Sequence, residues 1–344
     1  MEPEKVREAL LKWYDLHRRV LPWRGTHDPY EVWVSEVMLQ QTRTETVERY
    51  YGRFLEKYPD VRALAESDEQ DVLKLWEGLG YYRRAKALRQ GAQEVEAFYD
   101  GRMPHTYEEL LALSGIGEYT AGAIASIALG EAVPAVDGNA LRVFSRLSGF
   151  EGSVDTAQGK NALRNLAKQC LDPMRPGDFN QAVMDLGSGV CTPKNPRCSS
   201  CPLKALCACG SPEKAERLPI KKEKKKQNIE EWDVLLIRQG NRIAVLQRRE
   251  ELLADLWVFP MQRHTGEELV LREGVITCRE VRMAKHVFTH KIWEMHLWCL
   301  TVTPQFDLLP EWRMVSIDQL DELPFPSAMK AAMQEARKLM EDAG

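Results

Sequence analysis

Four cysteines stand close together in the stretch SGVCTPKNPRCSSCPLKALC, at residues 188–207. Cys191, Cys198, Cys201 and Cys207 form the pattern C-x6-C-x2-C-x5-C and make up half of the eight cysteines in the chain. Thiolates spaced in this way can bind zinc, or they can hold an iron–sulfur cluster at its corners. Structural zinc usually takes two close C-x2-C pairs, and only one such pair occurs here. The spacing therefore favours an iron–sulfur cluster and leaves zinc open.

The stretch that holds these cysteines is basic, although the chain as a whole carries a net charge of −4. Residues 191–226 contain ten Lys and Arg against three Asp and Glu, a local net charge of +7. Lys194, Arg197 and Lys204 lie inside the cysteine loops, where a bound metal would hold them in place. This placement indicates contact with a phosphate backbone. The run KKEKKK at 221–226 is explained equally well as a solvated linker.

A second candidate site is a glycine turn in LLALSGIGEYTAGAIASIALG, residues 110–130. Apolar residues at helical spacing flank the turn on both sides, which predicts a helix–hairpin–helix. Gly115 and Gly117 permit a tight turn and the close approach of another backbone. Free amides at the start of the second helix can hold a DNA phosphate without reading sequence. An ordinary helical hairpin has the same pattern and stays open as an alternative.

The elements that must position these sites fall into two parts, because 344 residues are too many for one ordinary core. Residues 1–210 have helical periodicity, residues 211–229 form a basic linker, and residues 230–344 are rich in strands. Helices are predicted in HDPYEVWVSEVMLQQT, DVLKLWEGLG and TAQGKNALRNLAKQC. In the last part we predict a β-hairpin around residues 239–241, further strands in LWVFPM, MAKHVFTH and KIWEMHLWCLTV, and a closing helix in SAMKAAMQEARKLM.

The N-terminus is acidic and amphipathic, unlike a signal peptide, and no apolar run approaches the roughly 18 residues of a membrane span. We therefore expect a cytoplasmic protein with reduced thiols and no membrane partner.

Several motifs together resemble a known superfamily. LSGIGEYTAGAI, VDGNALRV at 136–143 and the four-cysteine loop resemble the helix–hairpin–helix DNA glycosylases. WVSEVMLQQT, GLGYYRRA and FNQAVMDLG resemble the adenine DNA glycosylase family within it, and the resemblance covers essentially the whole chain. It implies a multidomain protein: an all-α glycosylase domain whose loop 191–207 binds a [4Fe–4S] cluster through its four cysteines, then an α+β Nudix-like domain.

The resemblance also implies a function. We expect a base-excision enzyme that hydrolyses the N-glycosidic bond of adenine opposite 8-oxoguanine or guanine in double-stranded DNA and leaves an abasic site. It should act as a monomer in the bacterial cytoplasm, associated with the nucleoid through DNA. TGEELVLREG at 265–274 lacks the glutamate-rich pattern that a hydrolytic Nudix domain needs to hold magnesium. We therefore interpret the second domain as a reader of 8-oxoguanine.

Cleaving the bond between adenine and its sugar requires a proton for the base and a partner for the positive charge on the sugar. Glu36 lies among apolar residues that can keep it protonated, and the resemblance makes it the general acid. Asp137 is the predicted N-cap of a helix and, by resemblance, stabilises the sugar cation, while Asn139 orients water or the carboxylates. Tyr119 stands where related glycosylase/lyases carry a nucleophilic lysine, so the enzyme is expected to be monofunctional.

The resemblance assigns DNA contacts to further residues. The predicted substrate-binding and DNA-binding residues are Gln41 and Tyr81 beside the opposite base, Leu21, Trp23, Arg24 and Gln181 around the adenine, Gly115 and Gly117 in the hairpin, and Phe288, Thr289 and His290 at the 8-oxoguanine. The family triplet is Phe-Ser-His, so Thr289 keeps the hydroxyl and adds a methyl group. Two alternatives are a thymine-glycol-type glycosylase/lyase of the same superfamily and a non-catalytic lesion-binding protein.

Overall fold

The computed structural model describes residues 2–223, 226–266 and 273–341. The chain divides into two compact units: unit 1 is Met1–Ser67 with Arg83–Glu223, and unit 2 is Asp68–Tyr82 with Lys224–Gly344. The domain boundaries read from the sequence remain predictions. Residues 224–225 of the lysine run and 267–272 of TGEELVLREG lie outside the described residues.

The described residues contain fourteen α-helices, and most of them lie in unit 1. The helices are α1 (Pro3–His17), α2 (Pro29–Leu39), α3 (Thr44–Lys57), α4 (Val61–Ala65), α5 (Glu69–Leu75), α6 (Arg83–Tyr99), α7 (Tyr107–Leu111), α8 (Glu118–Ile127), α9 (Gly138–Ser148), α10 (Ala157–Cys170), α11 (Pro176–Gly189), α12 (Pro212–Glu216), α13 (Ile317–Glu322) and α14 (Lys330–Glu341). Short 3₁₀ helices cover Cys198–Ser200, Lys204–Leu206 and Ser327–Met329. The three helices predicted from periodicity are confirmed as α2, α5 and α10.

Local sequence signals set where the helices of unit 1 begin. Asp28 accepts hydrogen bonds from the amides of Tyr30 and Glu31 at the start of α2, and a proline follows at the first helical position. Asp137 and Thr156 cap α9 and α10 in the same way. Helices α1, α9, α10 and α11 bury their apolar faces in one core, which includes Leu10, Phe144, Leu163 and Phe179. This core holds α9 and α11 beside each other.

Unit 2 is built on a mixed sheet of seven strands within the described residues. The strands are β1 (Asn228–Gln239), β2 (Arg242–Gln247), β3 (Trp257–Val258), β4 (Met261–Arg263), β5 (Val275–Val287), β6 (Lys291–Val302) and β7 (Arg313–Val315). The order is β3-β2-β1-β6-β5, with β4 paired to β1 and β7 paired to β2. Strands β1 and β6 run parallel, and the other pairs are antiparallel.

Both faces of this sheet are covered, as the alternation along β1 requires. Val234 and Leu236 point into a core that contains Met329, while Leu235 and Ile237 point into a second core on the opposite face. The predicted hairpin is confirmed: Gln239 pairs with Arg242, and Gly240 takes a φ of 59° at the turn. The helical unit followed by a sheet-containing unit confirms the predicted fold class. Among the described residues, none of the helices combines the length and apolar character that crossing a membrane requires.

Candidate active site and metal loop

Glu36 lies on α2 with only 5% of its surface exposed, and the helix around it is apolar. The Tyr119 hydroxyl on α8 donates a hydrogen bond to Glu36 Oε2. Burial raises the pKa of Glu36 because the charged form loses water, and the hydrogen bond from Tyr119 opposes that rise. A raised pKa means that this carboxyl group keeps its proton to a higher pH than an exposed glutamate does, and that proton can be donated.

Tyr119 is itself buried in the same site. Burial raises its pKa well above the usual value, and the negative charge of Glu36 adds to the rise. The phenol therefore stays protonated and serves as a hydrogen-bond donor. Its oxygen also lies 3.9 Å from the Met184 sulfur on α11.

Asp137 caps the N-terminus of α9, as predicted. Its Oδ1 accepts a hydrogen bond from the Ala140 amide at 2.7 Å, and its Oδ2 accepts one from the side-chain amide of Asn139 at 2.7 Å. Burial raises the pKa of Asp137, and these hydrogen bonds oppose the rise because they favour the carboxylate. The charge of Asp137 also raises the pKa of Glu36, so the two carboxyl groups interact. Burial favours the protonated form of each carboxyl group, and the hydrogen bonds that Asp137 accepts from Ala140 and Asn139 offset part of that preference.

Asn139 is fixed by a residue that the sequence reading did not single out. Arg142 Nη2 donates to Asn139 Oδ1 at 2.8 Å and to the Gly187 carbonyl at 2.8 Å. Arg142 Nε donates to the Cys191 carbonyl at 2.8 Å. Because the amide oxygen of Asn139 is taken by Arg142, its amide nitrogen is turned toward Asp137. The sequence signal for this contact is the spacing of three residues between Asn139 and Arg142, which places both side chains on one face of α9.

The predicted pocket residues Arg24 and Gln181 belong to a buried polar network. Arg24 Nη1 donates hydrogen bonds to Tyr14 Oη, at 3.0 Å, and to Gln181 Oε1. Arg24 Nη2 forms an ion pair with Asp185 at 2.9 Å, and the Asp185 side chain is 3% exposed. The positive charge of Arg24 lowers the pKa of Glu36, so this polar network opposes part of the rise that burial causes. Tyr14 and Asp185 were missed, although Asp185 follows Gln181 at i+4 on α11.

The other two pocket predictions lie close to Arg24 in the chain. The Leu21 carbonyl accepts the Arg24 amide at 2.9 Å, and the Leu21 side chain is half-buried. Trp23 is 5% exposed and packs edge-on against Tyr51, with ring centroids 5.6 Å apart. The structure thus places the Trp23 ring against Tyr51 in the core.

The glycine turn between α7 and α8 has the geometry of a tight hairpin. Gly115 has a φ of 77°, and a Cβ there would lie 2.7 Å from the Ala87 Cβ, so a side chain is excluded. Gly117 is the N-cap residue of α8 and brings no side chain to its first amides. These amides are left for another acceptor, such as a phosphate. Gln41 lies in unit 1 just after α2, exposed and with a φ of 60°.

Four predicted DNA contacts lie in unit 2. Tyr81 has a φ of 49° and is 47% exposed, and its hydroxyl lies 3.1 Å from Thr289 Oγ1. Thr289 and His290 are exposed between β5 and β6. Phe288 packs edge-on against Trp293 at 4.9 Å and against His286 at 4.5 Å. The structure thus brings together the two hydroxyl groups assigned to the opposite base.

The four cysteines of the loop line one cavity, together with Arg146, Val190 and Ala215. None of these four cysteines forms a disulfide in the part of the chain that the structure describes. Four thiols that face one cavity are the donor set that an iron–sulfur cube takes, in which each thiolate binds a different iron.

Arg146 on α9 forms one wall of the cavity and is 2% exposed. Its guanidinium donates to the carbonyls of Thr192 at 2.7 Å, Pro193 at 3.0 Å and Leu218 at 2.9 Å, and to Cys191 Sγ at 3.4 Å. Among the described residues Arg146 donates to carbonyls and to a cysteine sulfur, so the thiolates of a bound cluster would balance its buried charge. The sequence reading missed Arg146 as well.

A second group of possible metal donors lies in unit 2. Donor atoms of Glu231, His264 and His296 all lie within 4.8 Å of one another. The two imidazoles are stacked, with centroids 4.0 Å apart and planes at 12°, so the lone pairs of their ring nitrogens lie in nearly parallel planes. Their Nδ1 atoms lie 2.9 Å from Asp233 and Glu280. We assign no metal to this group.

Comparison with known proteins places these features in a class. Residues 34–169 match the HhH-GPD superfamily base excision DNA repair protein model, and residues 191–207 match the iron–sulfur binding domain of endonuclease III. Residues 233–335 match the NUDIX domain.

Among solved structures, a thermostable thymine-DNA glycosylase matches with a TM-score of 0.56 and 31% identity, over 60% of this chain and 96% of that chain. An endonuclease III–DNA complex at 22% identity and a TM-score of 0.52 shares the fold over 61% of this chain and 97% of that chain. The chain is thus a helix–hairpin–helix base-excision repair protein with a [4Fe–4S] cluster as its cofactor, as predicted.

Similar sequences narrow the class further. An adenine DNA glycosylase of Buchnera aphidicola (Acyrthosiphon pisum) is 35% identical over 83% of this chain and 83% of its own length. The chain therefore belongs to the adenine DNA glycosylase family. The Arabidopsis thaliana relative is 35% identical over 96% of this chain, and the mouse relative is 48% identical over 58% of it. The matched regions cover 64% and 41% of those two relatives, so the chain spans about half of their length.

Proposed function

We propose that the protein is a monofunctional DNA glycosylase that hydrolyses the N-glycosidic bond of adenine paired with 8-oxoguanine or guanine. The observation that carries the proposal is the pair of unlike carboxyl groups in unit 1. Glu36 is buried and accepts a hydrogen bond from Tyr119, while Asp137 is held by an amide and an asparagine. Hydrolysis of a glycosidic bond uses one carboxyl group that donates a proton and a second that stabilises positive charge, and these two groups differ in the donors that hold them.

Glu36 acts as the general acid. Because Oε2 accepts the hydrogen bond from Tyr119, the acid proton lies on Oε1, the oxygen that remains for the adenine. Protonating the base turns it into a neutral leaving group, which a sugar cation can release. After departure of the base, the Glu36 carboxylate accepts a proton from the attacking water, and the acid is regenerated.

Asp137 stabilises the positive charge that develops on the sugar. Its carboxylate is held in place by the Ala140 amide and by Asn139, and Arg142 fixes Asn139. A charge that is already oriented needs no rearrangement when the cation forms. Tyr119 stands at the position of the lysine of related lyases, and a phenol cannot form a Schiff base with the sugar. The product is therefore an intact strand with an abasic site.

The remaining assignments concern double-stranded DNA. The uncapped N-terminus of α8 behind Gly117 and the basic cysteine loop hold the phosphate backbone, and Cys191, Cys198, Cys201 and Cys207 bind the cluster that fixes the loop. Arg24, Gln181, Leu21 and Trp23 surround the flipped adenine. Gln41 and Tyr81 stand beside the opposite base, and Phe288, Thr289 and His290 read it. The chain acts on DNA as a monomer.

One assay tests the reaction. A duplex with adenine opposite 8-oxoguanine is incubated with the protein under single-turnover conditions and analysed with and without alkali. We expect strand cleavage only after alkali, because the product is an abasic site. Cleavage without alkali would identify a lyase, and an intact strand after alkali would identify a lesion-binding protein.

Two isosteric variants test the two carboxyl groups. Glu36→Gln removes the acid proton, and Asp137→Asn removes the charge while asparagine keeps the N-cap. Each is expected to lower the single-turnover rate about 10²–10⁴-fold while duplex binding remains. Glu31→Gln on α2 and Asp28→Asn at the α2 N-cap are the matched controls and should keep the rate. Wild-type rates in the Glu36 or Asp137 variants would contradict the assigned roles.

A further inference from the structure

The residues proposed to read 8-oxoguanine lie on a two-residue hairpin. Val287 pairs with Ile292 in the β5–β6 ladder, and the Phe288 amide donates to the Lys291 carbonyl at 2.8 Å. Thr289 and His290 are therefore the two loop residues at the tip. Both are exposed, so their position depends on what holds the residues on either side of them.

Gln227 contacts the backbone of this hairpin from outside it. Its Nε2 donates to the Phe288 carbonyl at 2.5 Å and lies 3.4 Å from the Thr289 carbonyl. The next residue, Asn228, begins β1 and pairs with Lys291 in the parallel ladder. One side-chain amide thus fixes the carbonyls of two consecutive residues, the second of which carries the Thr289 hydroxyl.

Glu230, three residues later in β1, fixes the base of the same hairpin. Glu230 Oε1 accepts a hydrogen bond from Lys291 Nζ at 2.9 Å and forms an ion pair with Arg263 Nη2 at 3.2 Å. Glu230 Oε2 accepts a hydrogen bond from Trp293 Nε1 at 2.8 Å. The Glu230 side chain is 16% exposed, so solvent screens these contacts only in part. Burial raises the pKa of Glu230, but the three donors outweigh burial and lower it to about 2, so the carboxylate is charged at neutral pH.

The indole that Glu230 holds is the surface on which Phe288 packs. Trp293 is 1% exposed, and its ring lies 4.9 Å from the Phe288 ring at an angle of 72°. Lys291 directly follows the tip, and Phe288 directly precedes it. Glu230 therefore acts on both sides of the tip, through its ion pair with Lys291 on one side and through Trp293 and Phe288 on the other.

We infer that Gln227 and Glu230 are positioning residues for the Thr289-His290 tip, and that selectivity for 8-oxoguanine over guanine depends on them. The inference rests on the proposed function of the tip as the reader of the opposite base. The proposed 8-oxoguanine site then includes residues at the start of β1 as well as the three residues of the hairpin. These residues determine where the Thr289 hydroxyl and the His290 imidazole lie. Neither residue needs to touch DNA for this effect.

The full-length protein tests the inference through a ratio of rates. Single-turnover excision is measured on duplexes with adenine opposite 8-oxoguanine and opposite guanine, for Gln227→Ala, Gln227→Glu and Glu230→Gln. We expect the ratio of the two rates to fall about threefold to tenfold, the effect of one lost hydrogen bond. Gln227→Glu should lower it more than Gln227→Ala, because a carboxylate cannot donate and faces two carbonyl oxygens. A general loss of DNA affinity from the added charge slows both duplexes alike and cancels in the ratio.

Glu294→Gln is the matched control, because it breaks the Lys285–Glu294 ion pair of 2.9 Å on the same two strands, away from the tip. Its ratio should stay at the wild-type value, and thermal unfolding should show all variants folded. A merely structural role would lower the unfolding temperature and both rates together and leave the ratio intact, which would overturn the inference. An unchanged ratio in Gln227→Glu and Glu230→Gln would also overturn it. A wild-type protein with equal rates on both duplexes would refute the proposed reader itself, so the two failures are distinguishable.

Discussion

The hydrogen bond between Tyr119 and Glu36 makes a quantitative prediction about the pH dependence of base excision. In the proposed mechanism Glu36 acts in its protonated form, so the rate of excision should fall as the pH rises through its pKa. The Tyr119 hydroxyl donates to Glu36 Oε2, and a donor stabilises the carboxylate more than the acid. Tyr119 therefore lowers a pKa that burial raises. Removing the hydroxyl in Tyr119→Phe should raise the pKa of Glu36 further.

The size of the change follows from hydrogen-bond energies. A hydrogen bond to a charged group contributes about 1.5–3 kcal/mol and one to a neutral group about 0.5–1.5 kcal/mol. The difference is about 1–1.5 kcal/mol, and about 1.4 kcal/mol corresponds to one pKa unit. The alkaline limb of the rate profile should therefore move up by about one pH unit. The acid limb should stay, because Asp137 is held by Asn139 and the Ala140 amide.

The assay is single-turnover excision between about pH 5 and pH 9.5 on a duplex with adenine opposite 8-oxoguanine. Tyr30→Phe is the matched control, since it removes a buried hydroxyl that donates to the Tyr58 carbonyl at 2.8 Å, on the helix that carries Glu36. It should leave both limbs in place. An alkaline limb of Tyr119→Phe that stays unmoved, or moves to lower pH, would refute the reasoning that links this hydrogen bond to the acid.

Three further predictions concern the cluster and the reader. Cys198→Ser should lower the iron content below four per chain and weaken duplex binding, measured by metal analysis and fluorescence anisotropy, because the basic loop loses its metal; a colourless, zinc-loaded protein with full activity would contradict the cluster. Arg146→Gln should also lose iron although all four thiols remain, since a glutamine cannot reach the carbonyls of Thr192, Pro193 and Leu218 together; full iron occupancy in that variant would contradict this role. Thr289→Ala combined with His290→Ala should reduce the preference for 8-oxoguanine over guanine about tenfold, the loss of one or two hydrogen bonds, when single-turnover rates on the two duplexes are compared; an unchanged preference would argue against the tip as the reader.

The sequence was informative where chemistry is encoded locally. The spacing of four cysteines indicated a cluster, the apolar neighbours of Glu36 indicated a carboxyl group with a raised pKa, and Asp137 was placed at a helix N-cap. Each of these inferences uses residues within one turn or one loop of each other. The hairpin around Gly240 was equally local, because two β-rich runs flanked a turn residue.

The contacts that were missed join residues far apart in the chain. Arg24 and Asp185 are 161 residues apart, and Tyr14 is 167 residues from Gln181. Periodicity states which face of a helix is apolar, but it does not state which polar residue of another helix that face will meet. The grouping of residues 68–82 with the C-terminal sheet is a further example. The pattern DVLKLWEGLG predicted a helix and gave no sign of the core to which it belongs.

Helix α9 explains why the candidate catalytic groups and the cysteine loop are built as one body within unit 1. Asp137 caps its first turn, and Arg142 one turn later joins Asn139 to the Cys191 carbonyl. Arg146, a further turn on, donates to the Cys191 sulfur. Displacing Cys191 would withdraw a carbonyl from Arg142, and Arg142 is the residue that orients the asparagine beside Asp137. The loop proposed to bind the DNA backbone and the carboxylate proposed to stabilise the sugar cation are thus held to the same helix, by the guanidinium groups of Arg142 and Arg146. Their relative position is therefore set by the fold before DNA is bound.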